Sequence, residues 1–211
     1  MYKKYIKRVL DVIGAVLLLI LLSPIMIATA IAIKLERKGP VLFVQPRSGK
    51  DGKTFNMYKF RSMTASNDVH DFSKENEVTT VGAIIRKTSI DELPQLFNIL
   101  KNEMSFIGPR PWIEDYNVYF TDNQRRRLEV KPGITGLAQA VGRNELSIKE
   151  KINLDIEYVD NVSFKMDLRV FFGTIKTVFS KKGAEISKSG IQDELEELKH
   201  QWDEKDKEVK I

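Results

Sequence analysis

Residues 12–33 carry no charge, and Asp11 and Lys34 close the run on either side. About 20 apolar residues suffice to cross a hydrocarbon core, so the run predicts a membrane-embedded helix. Ser23-Pro24 stands near its middle. Proline has no N–H and its ring crowds the carbonyl four residues back, here that of Ile20, so a break or sharp kink is expected. The Ser23 hydroxyl can bond a carbonyl of the preceding turn, which lipid cannot do. Lys3, Lys4, Lys7 and Arg8 precede the run, and Lys34, Arg37 and Lys38 follow it. Positive flanks stay in the cytoplasm, so a helix that enters, turns at Ser23-Pro24 and returns satisfies both, whereas a straight span exports one. The expectation is a re-entrant membrane helix broken at Ser-Pro. A kinked span and a cleaved leader, with Ala28-Thr29-Ala30 imitating a processing site, are the competing readings.

Beyond this segment the periods shorten. Residues 41–45 and 54–59 predict the two strands of a small β-hairpin, joined through Gly49 and Asp51-Gly52. The polar stretch 65–77 has no period and reads as a loop. Helices are expected over 81–85 and 93–100, and Gly/Pro turns over 106–112 and 132–136. Leu168, Phe171, Phe172, Ile175, Val178 and Phe179 recur at helical spacing among Lys165, Arg169 and Lys176. Either a buried amphipathic helix or a basic helix lying on an anionic bilayer fits that stripe. After Ile191 a charged stretch aligns Leu195, Leu198 and Trp202 on one helical face. The fold class is α+β, mostly helical, divided into a membrane segment (1–38), a catalytic domain (39–185) and a charged tail (186–211).

Composition narrows the chemistry. The 211 residues contain no cysteine and two histidines, so thiolate, Cys-zinc and Ser/His chemistries are excluded or improbable. Catalysis falls to carboxylates, Lys, Arg and a hard metal ion. The net charge is +5, and the acidic tail hides a more basic body suited to anionic partners. The P-loop and dinucleotide glycine patterns are absent.

Asp91-Glu92 follows Arg86-Lys87 at a predicted helix start. Asp91 or Ser89 as a cap is the plain explanation, with the helix dipole favouring acid there. The functional one is that dipole and cations keep Asp91 ionised and able to attack phosphorus, while Glu92 holds a metal. Arg110, between Pro109 and Pro111, has few conformations to lose and a planar fork suited to a phosphoryl group. Lys59, Arg61 and Arg86 supply further cations for phosphates, and together these groups point to phosphoryl transfer.

Six stretches in order carry a resemblance: Lys7-Arg8-Val9-Leu10-Asp11, Ser23-Pro24, Tyr58-Lys59-Phe60-Arg61-Ser62-Met63, Asp91-Glu92-Leu93-Pro94-Gln95-Leu96, Ser105-Phe106-Ile107-Gly108-Pro109-Arg110-Pro111, and Lys131-Pro132-Gly133-Ile134-Thr135-Gly136-Leu137-Ala138-Gln139. From Lys7 to about Lys182 the chain resembles the monotopic phosphoglycosyl transferases, the bacterial sugar transferase family, and especially their small members. The resemblance implies transfer of a sugar 1-phosphate from a UDP-sugar to undecaprenyl phosphate, with UMP released, at the cytoplasmic face of the bacterial inner membrane. It implies that Asp91 forms an aspartyl phosphosugar beside Glu92 on Mg²⁺, with both carboxylates near the metal. Lys59, Arg86 and Arg110 would surround the phosphates. Asp167 matches a recurrent acidic position near the site. The product would be the first membrane intermediate of glycoconjugate assembly (exopolysaccharide, capsule, O-antigen or glycoprotein glycan), consumed by downstream glycosyltransferases. The run Gln45-Pro46-Arg47-Ser48-Gly49 follows the family only loosely, and the acidic tail is not shared.

A non-catalytic membrane-anchored scaffold binding anionic lipids is the alternative, and it leaves Asp91-Glu92 beside the cations unexplained. Nucleic acid is a poor partner, because the basic residues other than Arg125-Arg126-Arg127 are scattered and no nucleic-acid motif is present.

Overall fold

A computed structural model describes residues 1–36, 38–64, 78–142 and 145–179. The expected loop over 65–77 and the tail helix with Leu195, Leu198 and Trp202 lie outside them. The chain forms two compact units. The first comprises Val9–Pro46 and Asn56–Asn102, and the second comprises Met1–Arg8, Arg47–Phe55 and the described part of Glu103–Ile211.

The apolar run forms α1, Lys7–Glu36, preceded by one π-helical turn over Tyr2–Ile6. It is long and apolar enough to cross a membrane by length and composition. Ser23-Pro24, where a break or kink is expected, lies within this helical run. Proline frees the Ile20 carbonyl, and the Ser23 hydroxyl donates to that same oxygen at 2.8 Å, so this acceptor keeps a partner.

In the first unit the far end of α1 is buried where its middle is not. Ile33 joins Phe60 and Ile85 in a cluster that also takes in Met26, Ala30, Val41, Val81, Ile90 and Leu93. Phe60 ends β2 (Thr54–Phe60), which pairs with β1 (Leu42–Ser48) as the expected hairpin. Ile85 lies on α2 (Thr80–Lys87), whose N-terminus is capped twice. The Thr79 hydroxyl accepts from Gly82 N–H at 2.9 Å, and the Glu36 carboxylate accepts from Val81 N–H at 3.1 Å. The last residue of the membrane helix thus holds the helix that leads to Asp91. The unit closes with α3, Gln95–Leu100.

The second unit is built on an unexpected sheet. The two stretches read as turns begin with β3 (Ser105–Ile107) and β4 (Gly133–Thr135), paired in parallel. Strands of three residues carry no legible alternation, so the pattern gave no sign of them. Glycine makes the pairing possible: a Cβ on Gly108 would overlap the Lys131 carbonyl, and one on Gly133 would overlap the Gly108 amide. Short α4 (Asp122–Arg125), α5 (Leu137–Val141), α6 (Ile148–Asp160) and α7 (Phe164–Phe179) surround it.

Helix α7 settles the question its stripe raised. Its inward residues are Met166, Val170 and the small Gly173 and Thr177, which pack on α5 through Ala140. Phe164, Leu168, Phe171, Phe172 and Ile175 face outward, with Phe172 61 % exposed. The buried-stripe reading is therefore corrected: the large apolar side chains form the outer face.

Candidate active site

In the first unit, α2 runs to Arg86 and Lys87 and is stopped by Ser89, whose backbone is left-handed (φ 57°, ψ 18°). That reversal starts a single 3₁₀ turn over Ile90–Glu92, closed by Glu92 N–H to the Ser89 carbonyl at 3.2 Å. Ile90 and Leu93 point into the cluster around Ile33. Asp91 and Glu92 are left half-buried between them. The capping explanation fails, since neither this turn nor α3 has a side-chain cap.

From β2, Lys59 donates to Glu92 Oε1 at 2.9 Å, with both side chains mostly buried. Burial pushes the Asp91 carboxyl above its ordinary value; the charges of Lys59 and Arg86 pull it down, and the neighbouring Glu92 pushes it up. Desolvation thus outweighs the two cations in setting the direction of the shift. Lys59, Arg86, Asp91 and Glu92 form one constellation. Asp91 and Glu92 are the groups that could hold a metal. A magnesium ion takes one or two protein carboxylates and completes its shell with phosphate and water, so adjacent carboxylates beside phosphate-seeking cations fit it.

Arg61 occupies a different place in this unit. Only 8 % exposed, it donates from Nη2 to the Lys38 carbonyl at 3.1 Å, and Gly39 (φ 122°) lies against its guanidinium. It clamps the chain where the membrane helix ends.

The second unit contains Pro109, Arg110 and Asp167. Four carbonyls of the run 107–112 are held by hydrogen bonds. The Tyr158 hydroxyl lies 3.0 Å from Ile107 O and 2.7 Å from Asp167 Oδ1 and shares its one hydrogen between them, and Pro109 O accepts from Gly133 N–H at 3.0 Å. Arg110 O accepts from Arg127 at 2.8 Å, and Trp112 O from Ser48 N–H at 2.9 Å. Pro109 and Pro111 are buried and Arg110 between them is exposed. A shallow depression beside it is lined by Ser48, Gly49, Arg110, Arg127 and Pro132 among others. Asp167, at the start of α7, accepts from Lys7 at 2.6 Å and from Tyr2 on Oδ2, and from Tyr158 at 2.7 Å on Oδ1. Both its oxygens are engaged by the protein.

Sequence reasoning missed Lys7 and Tyr158 as partners of Asp167, and missed Arg127 and Asp155 beneath Arg110. For α6, which carries Asp155 and Tyr158, a signal existed: Ser147 and Glu150 form a reciprocal capping box, legible as Ser-x-x-Glu. For Arg127 there was none, because three consecutive arginines read as solvated surface.

Comparison with known proteins agrees with the motif order. Residues 2–181 match the family model described as Bacterial sugar transferase. The chain is 46% identical over 180 residues to the uncharacterized sugar transferase EpsL of Bacillus subtilis (strain 168), covering 84% of this chain and 89% of that protein. It is 42% identical over 191 residues to the UDP-N-acetylgalactosamine-undecaprenyl-phosphate N-acetylgalactosaminephosphotransferase of Aeromonas hydrophila, covering 85% of this chain and 45% of that one. It is 43% identical over 190 residues to the UDP-glucose:undecaprenyl-phosphate glucose-1-phosphate transferase of Klebsiella pneumoniae, covering 84% and 41%. The chain therefore spans most of the first relative and less than half of the other two. With a family match over nearly its whole described length, and with the ordered motifs seated in both units, the chain belongs to the bacterial sugar transferase family.

Proposed function

We propose that the protein moves a sugar 1-phosphate from a UDP-sugar to undecaprenyl phosphate through a covalent intermediate on Asp91. The observation that carries this reading is a half-buried carboxyl, raised by desolvation, beside Lys59, Arg86 and Glu92. In a family whose members include undecaprenyl-phosphate sugar phosphotransferases, such a carboxylate is suited to attack phosphorus. An Asp91 oxygen attacks the sugar-bearing phosphorus of the donor. The new bond is carboxylate O–P; the bond broken joins that phosphorus to the bridging oxygen, and UMP leaves with the electron pair. A phosphate oxygen of undecaprenyl phosphate then attacks the same phosphorus, forming the diphosphate and returning Asp91 as a carboxylate. Lys59 and Arg86 offset the charge that builds on the phosphoryl oxygens. In the second unit, Arg110 is assigned to a substrate phosphate. Magnesium, held by Glu92 and Asp91 when bound, would supply Lewis-acid stabilisation of the phosphates. Arg61 and Asp167 are assigned to scaffolding: Arg61 clamps the Lys38 carbonyl, and Asp167 ties Lys7, Tyr2 and Tyr158 together.

The acceptor cannot leave the bilayer and the donor is water-soluble, so the reaction belongs at the headgroup plane. We assign α1 a re-entrant course in the inner membrane with the catalytic body on the cytoplasmic side. Support comes from Lys7, which precedes α1's apolar run yet binds Asp167 of α7, which follows it, within one unit. The outward apolar face of α7, flanked by Lys165, Arg169 and Lys176, suits the same interface. If the reading holds, Lys4→Cys and Lys38→Cys are both protected from an impermeant thiol reagent in intact cells and both react after lysis. Labelling of Lys4→Cys alone from outside replaces the re-entrant course with a span.

The chemical test is UMP release from a panel of UDP-sugars, including UDP-glucose and UDP-N-acetylgalactosamine, with undecaprenyl phosphate. Without acceptor, intact mass rises by one phosphosugar in the wild type and not in Asp91→Asn. Absence of UMP with every donor sinks the reading and leaves a lipid-binding scaffold.

A further inference from the structure

Of the three arginines in sequence, the third is unlike its neighbours. Arg126 pairs with Glu129 and Asp160 at the surface, while Arg127 is only 2 % exposed. Its Nε and Nη2 both donate to Asp155 Oδ2, at 3.0 and 2.6 Å. Its guanidinium lies 4.5 Å from the Trp112 ring centre and 5.6 Å from that of Phe120. The same Nη2 donates to the Arg110 carbonyl at 2.8 Å.

A buried ion pair is a poor way to fill a core, since apolar side chains of similar volume usually do as well or better. What an apolar pair cannot provide is a donor for the Arg110 carbonyl and a flat cation under Trp112. The other pinned carbonyls of this run take their bonds from backbone amides or from Tyr158, so Arg127 is the charged member of the clamp. It acts on the one residue of the run whose side chain is exposed.

We propose that Arg127, held by Asp155, is a positioning residue for Arg110: it fixes the Pro109-Arg110-Pro111 backbone so that the Arg110 guanidinium is presented in one orientation to a substrate phosphate. The inference rests on the reading that Arg110 binds that group, and the experiment separates the two.

The full chain in detergent or nanodiscs is compared with Arg127→Met/Asp155→Leu, Arg110→Ala, and the three substitutions combined. Replacing both members of the pair removes the buried charges together, so the melting temperature should stay close to that of the wild type. Amide exchange in peptides covering 107–112 should nevertheless quicken by about tenfold or more, as local anchoring is lost. KM for the UDP-sugar that supports UMP release should rise by about tenfold, with kcat changed less. Arg110→Ala added to the double substitution should produce little further change, because residues acting as a unit are not additive. Unchanged exchange over 107–112, KM within about twofold of wild type, or additive effects would overturn the proposal. Should the double variant not fold, Arg127→Lys keeps a charge for Asp155 without the planar fork and is read by the same exchange and KM measurements. If no UDP-sugar is turned over by the wild type, the functional reading fails, and the exchange measurement still decides whether Arg127 fixes Arg110.

Discussion

Two aspartates that the sequence placed together at the chemistry have opposite surroundings. Asp167 is buried, and each of its oxygens has a protein donor: Lys7 and Tyr2 on one, Tyr158 on the other. Asp91 sits half-buried on a 3₁₀ turn. Among the described residues it receives charge from Lys59 and Arg86 and a bond from its own backbone, and desolvation still raises its carboxyl. A carboxylate with both oxygens engaged by its own protein serves the fold. One that is desolvated and under-committed keeps its lone pairs for chemistry. The difference also separates the two halves of the anchor: Asp167 ties down the segment before α1's apolar run, whereas Glu36, at its far end, caps the helix that presents Asp91.

The largest effect is expected at Asp91. Asp91→Asn should lower turnover on the order of 10⁴-fold or more, the scale of removing a nucleophile, without lowering the melting temperature. The stability sign follows from linkage. A raised folded-state pKa favours the fold below the unfolded value, and that advantage is lost as pH rises through the folded value. At neutral pH the wild type therefore bears the penalty that Asn lacks. Asp167→Asn should do the reverse, costing about 1–3 kcal/mol because the partly buried Lys7 loses its counter-charge, while turnover falls by less than about tenfold. If Asp167→Asn instead abolishes turnover with stability intact, the distinction between the two carboxylates collapses.

A pH profile sharpens it further. Asp91 must be ionised to attack, so the acid limb of kcat/KM should lie above the ordinary aspartate value of 3.8. Glu92→Gln removes a charge that raises Asp91 and should move the limb down. Lys59→Met removes one that lowers it and should move the limb up. Residual activity suffices for both profiles, and a limb that stays put in both variants contradicts the electrostatics. The smallest effect is expected for Tyr158→Phe, which takes one donor from Asp167 and the Ile107 carbonyl. It should cost about 0.5–1.5 kcal/mol in denaturant titration and leave the pH profile of turnover unmoved.

Local signals were strong enough to be read from the chain alone. An uncharged run long enough for a bilayer, two alternating strands around Gly49 and Asp51-Gly52, and the adjacent carboxylates after Arg86 each depend on a few neighbouring residues. These became α1, the hairpin and the Asp91-Glu92 turn, and even the bond from Ser23 to Ile20 follows from helical spacing. Tertiary structure decided what depends on distant partners. Helical period reveals that α7 has an apolar face but carries no sign for inside or outside; Ala140 of α5, packing on Gly173 and Thr177, turned the phenylalanines outward. Nor does composition separate Arg127 from Arg125 and Arg126, or the engaged Asp167 from the exposed acids. Those distinctions arise when Asp155, Lys7 and Tyr158 arrive from elsewhere in the chain, because burying a charge is tolerable only where its counterpart is buried with it.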